Sequence, residues 1–172
     1  STFLFLEDVL SEVIGLFPYE YVHIGGDECP KARWKTCPDC QRRIRDEGLA
    51  DEEALQSYFV KRIERFLSAH GRRLVGWDEI RQGGLSPSAV VLSRKREQGL
   101  RSALETGNDV IMTPYMNCYF DYYQGDPETE PLAFGGHLPL AAAYALDPYE
   151  GLSPEQTRQI VGVQCNLWGE FV

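Results

Sequence analysis

The 172 residues suit a single domain, and an apolar share of 43 % is enough to build a core. A net charge of −9 argues against nucleic acid and anionic membranes as partners, because both repel an acidic surface. No apolar run approaches the length of a membrane span.

No signal peptide is visible, and Ser1 is not a natural start, which leaves room for upstream sequence, an export signal included. Phe3, Leu6, Val9, Leu10, Val13, Ile14 and Phe17 recur at helical spacing with acids between them. That predicts a helix over 2–17, ended by Pro18. Tyr21 to Ile24 suits a strand that runs into Gly25-Gly26 and then Asp27-Glu28. The glycines allow a sharp turn and a close approach. The two carboxylates then stand at the C-terminal end of a strand, where α/β enzymes keep their chemistry. Neighbours on an extended strand point to opposite sides, so Asp27 and Glu28 need not share a role.

An irregular loop from Pro30 leads to a helix over 39–46, stopped by Gly48. Asp51 caps a long helix that carries Leu55, Phe59, Ile63, Phe66 and Leu67 on one face and ends at Gly71. Strands follow at 73–76, 89–92, 109–112 and 160–167, with a helix over 98–106 closed by Gly107. The aromatic, Gly/Pro-rich stretch 115–139 is long for a loop, a length that goes with function or with disorder. Short helical turns are expected at 139–144 and 154–158. The alternation of strands and helices implies an α/β fold with a parallel sheet.

Five cysteines are present. Cys29, Cys37 and Cys40 could ligate zinc, but no fourth ligand follows at a suitable spacing. A local disulfide or plain thiols are expected instead. Cys118 and Cys165 read as small buried residues near strand ends.

Four strand ends run into an aromatic or acidic cluster: Asp27 and Glu28, Trp77 and Asp78, Tyr119 and Asp121, Trp168 and Glu170. Together they describe a pocket floored by rings and edged by carboxylates. Such a pocket suits a sugar, whose apolar faces stack on rings and whose hydroxyls donate to carboxylates.

These residues resemble family 20 glycoside hydrolases, the β-N-acetylhexosaminidases. The match lies in His-x-Gly-Gly-Asp-Glu at 23–28, Gly-Trp-Asp-Glu at 76–79, Tyr-x-Asp at 119–121 and Trp-x-Glu at 168–170, with Leu16-Phe17-Pro18 as a fitting flank. The resemblance implies a partial (β/α)8 TIM barrel, strands four to eight. Residues 1–172 would then be the C-terminal part of the catalytic barrel, without strands one to three or the last helix. With those strands go an arginine and a histidine that the family uses at the sugar. The open edges leave a route to self-association. Where the family usually has a tryptophan after Val-x-Ser, this chain has Arg94-Lys95-Arg96, which makes the acetamido pocket wider or more polar.

The resemblance also implies a retaining, substrate-assisted hydrolysis of terminal N-acetyl-β-hexosaminides, with no cofactor and no metal. Glu28 would be the general acid and then the base. Asp27 would hold the acetamide N–H, and Tyr119 would bond the acetamide oxygen. Trp77 and Trp168 would wall the sugar, while Asp121 and Glu170 accept from its hydroxyls.

Blander roles stay open for each. Trp77 and Trp168 could be core residues, and Tyr119 loop packing. Asp78 and Glu79 could brace the strand end. His23 reads as a supporting residue rather than a catalyst, the Arg94-Lys95-Arg96 run as a solvated face, and His137 has no assigned role. For the whole chain the alternatives are a non-catalytic fragment with a partial sugar pocket and a Cys-x-x-Cys metal or redox module.

Overall fold

The computed structural model describes residues 2–95 and 98–171. Contacts gather into two compact units, Ser1–Val91 and Leu92–Val172.

The first unit contains helix α1 (Thr2–Leu16), strand β1 (Tyr21–His23), helices α2 (Ala32–Thr36), α3 (Pro38–Asp46) and α4 (Glu52–Ala69), and strand β2 (Arg73–Trp77). β1 and β2 are parallel, with Tyr21, Val22 and His23 opposite Arg73, Leu74 and Val75. The connection between them is helical, as a parallel pair requires. α4 begins where Asp51 accepts the Ala54 N–H at 2.8 Å, satisfying one of the unpaired amides of the first turn. Val60, Ile63 and Leu67 of α4 form the core with Leu74, Ile80 and Ala89. Phe3, Leu6, Leu10 and Ile14 of α1 pack against it, as do the half-buried Phe59 and Phe66. Val9 and Phe17 do not share that face and are 41 % and 57 % exposed. Val9 lies about 100° round the helix from Leu10, and Phe17 falls past the helix end.

β3 (Val90–Ser93) falls across the division between the units. The second unit holds α5 (Gln98–Glu105), β4 (Asp109–Met112), α6 (Tyr115–Cys118), α7 (Leu140–Tyr144), α8 (Pro154–Thr157) and β5 (Ile160–Val163). β4 and β5 are parallel, with an irregularity between Val110 and Ile111. α8 opens with a capping box between Ser153 and Gln156. Between α6 and α7 the chain is irregular apart from a bridge of Tyr123 with His137.

β5 is shorter than the expected 160–167. Gln164 N–H makes the last bond to β4, at the Met112 carbonyl, and the chain then changes partner. Asn166 pairs with Tyr119 instead. Trp168 therefore stands on an irregular segment and not on the strand end. No helix among the described residues is long and apolar enough to cross a membrane.

Candidate active site

In the first unit the pairing of β1 with β2 runs on past His23. Ile24 N–H donates to Val75 and Trp77 N–H to the Gly25 carbonyl, both at 2.9 Å. Gly25 and Gly26 then take φ of +74° and +95°. A side chain on Gly26 would overlap Ile80, so glycine is required there for space as well as for conformation.

Glu28 follows with φ of +47°, alone among the described non-glycine residues in the left-handed region. Asp27 and Glu28 are therefore not neighbours on an extended strand, as the alternation argument expected. A left-handed residue of this kind costs about 1–3 kcal/mol and persists only where its surroundings hold it.

Those surroundings are visible. Gln56 of α4, 4 % exposed, donates from Nε2 to the Gly26 carbonyl at 2.8 Å. Lys31 Nζ donates to the Cys29 carbonyl at 2.8 Å, and also to Gln56 Oε1. Glu53 completes the group, 3.3 Å from Lys31. The carbonyls immediately before and after Asp27-Glu28 are thus tied to one another through two side chains. Neither Gln56 nor Lys31 was a sequence candidate. The available signal was Gln56 sitting four residues before Val60 and seven before Ile63, a polar residue on the buried stripe of α4.

Asp27 is half-buried and Glu28 exposed. Glu28 lines a recess of about 580 Å³ with Gly26, Lys31, Glu53, Gln56 and Glu79. His23 Nδ1 accepts the Gly25 N–H at 3.0 Å. Desolvation lowers the His23 pKa against the opposing charge of Asp27, which keeps Nδ1 free to accept. The His23 ring meets Trp77 edge-on, 5.3 Å between centroids at 72°. Trp77 is buried at the end of β2, and Asp78 and Glu79 enter a 3-10 turn.

In the second unit Tyr119 is 8 % exposed. Its ring lies 5.6 Å from Tyr122 and 6.3 Å from Trp168. Burial raises its pKa, and hydrogen bonds from the Arg94 and Trp168 side chains oppose that rise. Arg94 is half-buried on this hydroxyl, which corrects its reading as part of a solvated run. Lys95 is exposed, and Arg96 lies outside the described residues.

Asp121 is 6 % exposed, and neither carboxylate oxygen takes a hydrogen bond from another residue. Burial raises its pKa, and the charge of Glu170 adds to the rise. Beside it lies a cavity of about 270 Å³ walled by Phe120, Tyr122, Phe134, Trp168 and Phe171. Trp168 is 39 % exposed and Glu170 open to solvent. So Asp27, Glu28 and Trp77 are gathered in the first unit, and Tyr119, Asp121, Trp168 and Glu170 in the second.

The five thiols are free. Cys165 is exposed, against the expectation that it is buried, because it follows the end of β5. Cys118 is buried at the end of α6 and not beside a strand end. Among the described residues no group of three His, Cys, Asp or Glu is arranged to hold a metal ion.

The whole chain, residues 1–172, matches the family model described as glycosyl hydrolase family 20, catalytic domain. It is 53 % identical over 174 residues to a beta-hexosaminidase of Porphyromonas gingivalis and 37 % identical over 177 residues to one of Vibrio furnissii. Each alignment takes in 100 % of this chain, but only 22 % and 29 % of those relatives. Among solved structures, the exo β-N-acetylglucosaminidase of Vibrio harveyi in complex with N-acetylglucosamine superposes with a TM-score of 0.89 at 34 % identity, covering 99 % of this chain and 27 % of that one. The chitobiase of Flavobacterium johnsoniae gives 0.82 at 30 % identity, covering 99 % and 25 %. The architecture is accordingly α/β, a partial (β/α)8 barrel, and the chain belongs to glycosyl hydrolase family 20 within its catalytic domain.

Proposed function

We propose that the protein to which this chain belongs hydrolyses terminal non-reducing N-acetyl-β-D-hexosamine residues with retention of configuration, residues 1–172 being the C-terminal part of its catalytic barrel. The observation that carries this reading is the Asp27-Glu28 pair, set after two positive-φ glycines, Gly26 leaving no room for a side chain, with Glu28 held in a left-handed conformation. A backbone so placed at a cost, and tied on both sides, is characteristic of a site where position matters.

The chemistry divides into two steps. In the first, the substrate's 2-acetamido oxygen attacks the anomeric carbon while the glycosidic bond breaks. Glu28 gives its proton to the departing oxygen. Asp27 accepts the acetamide N–H and offsets the positive charge that builds on the oxazolinium. Tyr119, with the Arg94 and Trp168 side chains beside its hydroxyl, donates its hydrogen to the acetamide oxygen and aims it. In the second step Glu28 takes a proton from water, the water oxygen bonds to the anomeric carbon, and the acetamide is released. Trp77 and Trp168 supply ring faces for the sugar. Asp121 and Glu170 accept its hydroxyls, and the buried Asp121 oxygens have that capacity unspent.

The reading as a non-catalytic fragment has no observation in its favour at the carboxylate pair, which is intact. The test is nitrophenol release from an aryl N-acetyl-β-glucosaminide by the full-length protein and by its Glu28→Gln variant. Turnover lost in the variant supports the assignment. Equal turnover in both removes Glu28 from the mechanism.

A further inference from the structure

Cys118 and Cys165 are distant in sequence and adjacent in the second unit. Asn166 N–H donates to the Cys118 carbonyl and Phe120 N–H to the Asn166 carbonyl, each at 2.7 Å. These two bonds make Tyr119 and Asn166 parallel partners. One step back along both segments, Cys118 and Cys165 are neighbours. Parallel neighbours lie about 4.8 Å apart, within the roughly 4.4–6.8 Å between Cα atoms that a disulfide spans. The Cys165 thiol is near enough to act, with burial, on the titration of Cys118. Cys118 is 1 % exposed, whereas Cys165 faces solvent.

We propose that Cys118 and Cys165 form a reversible disulfide that staples the segment carrying Tyr119 to the segment carrying Trp168. The reaction is thiol–disulfide exchange, with a small-molecule disulfide as oxidant. The Cys165 thiolate attacks one sulfur of the oxidant and expels the other half as a thiolate. Cys118 then loses its proton to solvent base, attacks the Cys165 sulfur of the mixed disulfide, and expels the remaining half. Two protein thiols become one S–S bond, and the oxidant's S–S bond becomes two thiols. Burial, with Cys165 beside it, pushes the Cys118 pKa up to about 12, so Cys165 is the point of entry. The closed loop contains the irregular stretch between α6 and α7, which has little regular structure to hold it. A cross-link there removes freedom from the unfolded chain.

The experiment uses the full-length protein, incubated with glutathione disulfide and digested without reductant. The expected product is a cross-linked pair of peptides containing Cys118 and Cys165, lighter by two hydrogen atoms than the sum of the free peptides and separated again by a thiol reductant. Oxidation should also raise the melting temperature of the wild type by a few degrees and leave that of Cys165→Ser unchanged. Glutathione retained on Cys165 with Cys118 still open to alkylation after unfolding would overturn the proposal. So would a disulfide that joins either residue to a different cysteine. None of these readouts depends on glycoside hydrolysis.

Discussion

The two units treat their carboxylates in opposite ways. In the first, hydrogen bonds converge on the backbone either side of Asp27-Glu28, from Gln56 to the Gly26 carbonyl and from Lys31 to the Cys29 carbonyl. The carboxylate of Glu28 itself stays exposed. In the second, the Asp121 carboxylate is buried with no bond from another residue, beside a cavity of rings. A group that transfers protons needs a fixed position and an open head. A group that binds hydroxyls needs unspent acceptor capacity in a dry place, which costs stability until a ligand supplies the donors. On the proposed function, the difference would separate chemistry in the first unit from recognition in the second.

The largest effect that would break this comparison lies in the first unit. In the full-length protein Glu28→Gln should lower kcat by about 10²–10⁴-fold, the usual span for losing a general acid or base. KM should stay within a few-fold. Loss of binding with turnover preserved would reverse the roles of the two units.

Gly26→Ala should follow. The new methyl overlaps Ile80 and φ of +95° strains any side chain, so stability should fall by on the order of 2–3 kcal/mol. Urea denaturation checks it, and an unchanged midpoint would mean that the turn yields.

Lys31→Met tests the clamp more gently. Its bond to the Cys29 carbonyl and its tie to Gln56 of α4 both go, and kcat should drop about tenfold with KM little altered, the scale of one charge-assisted hydrogen bond. Lys31→Arg should recover part of the loss. A variant that melts lower but keeps full kcat would leave Lys31 a structural role only.

Asp121→Asn gives the smallest effect and the opposite sign. Burial raises the Asp121 pKa, so the folded protein holds this proton more tightly than the unfolded chain does. Its stabilising contribution is complete below the unfolded value near about 4 and is lost as pH rises through the higher folded value. Asparagine cannot ionise, so at neutral pH the variant should be the more stable protein by about 1 kcal/mol. The gap should close below about pH 4. Substrate KM should rise meanwhile, because the charged acceptor is gone. Equal stability at both pH values would show that Asp121 carries no unpaid desolvation.

What could be read from sequence followed physical range. Asp51 as a cap, the stop at Gly48, the bounds of β4 and the Gly-Gly turn before Asp27-Glu28 depend on residues a few positions apart. The four motifs were legible for the same reason, each being a short run with its own chemistry. β5 was drawn four residues too long, because Gln164 to Leu167 suit a strand locally and only the exchange of partner from Met112 to Tyr119 ends it.

The remaining features come from residues far apart in the chain, and tertiary packing alone decided them. Gln56 reaches Gly26 across thirty positions; its place on the buried stripe of α4 is legible locally, but the carbonyl it meets is not. The basic neighbours of Arg94 predict a solvated side chain, yet it is half-buried near the Tyr119 hydroxyl. Cys118 and Cys165 meet because Asn166 pairs beside Tyr119, a register that no spacing encodes. The sequence by itself determined the family, the alternation of strands and helices, and the identity of the carboxylates and rings. Tertiary structure decided which of them are buried, which are held and which are left unpaired, because burial and hydrogen-bond satisfaction are properties of surroundings and not of residues.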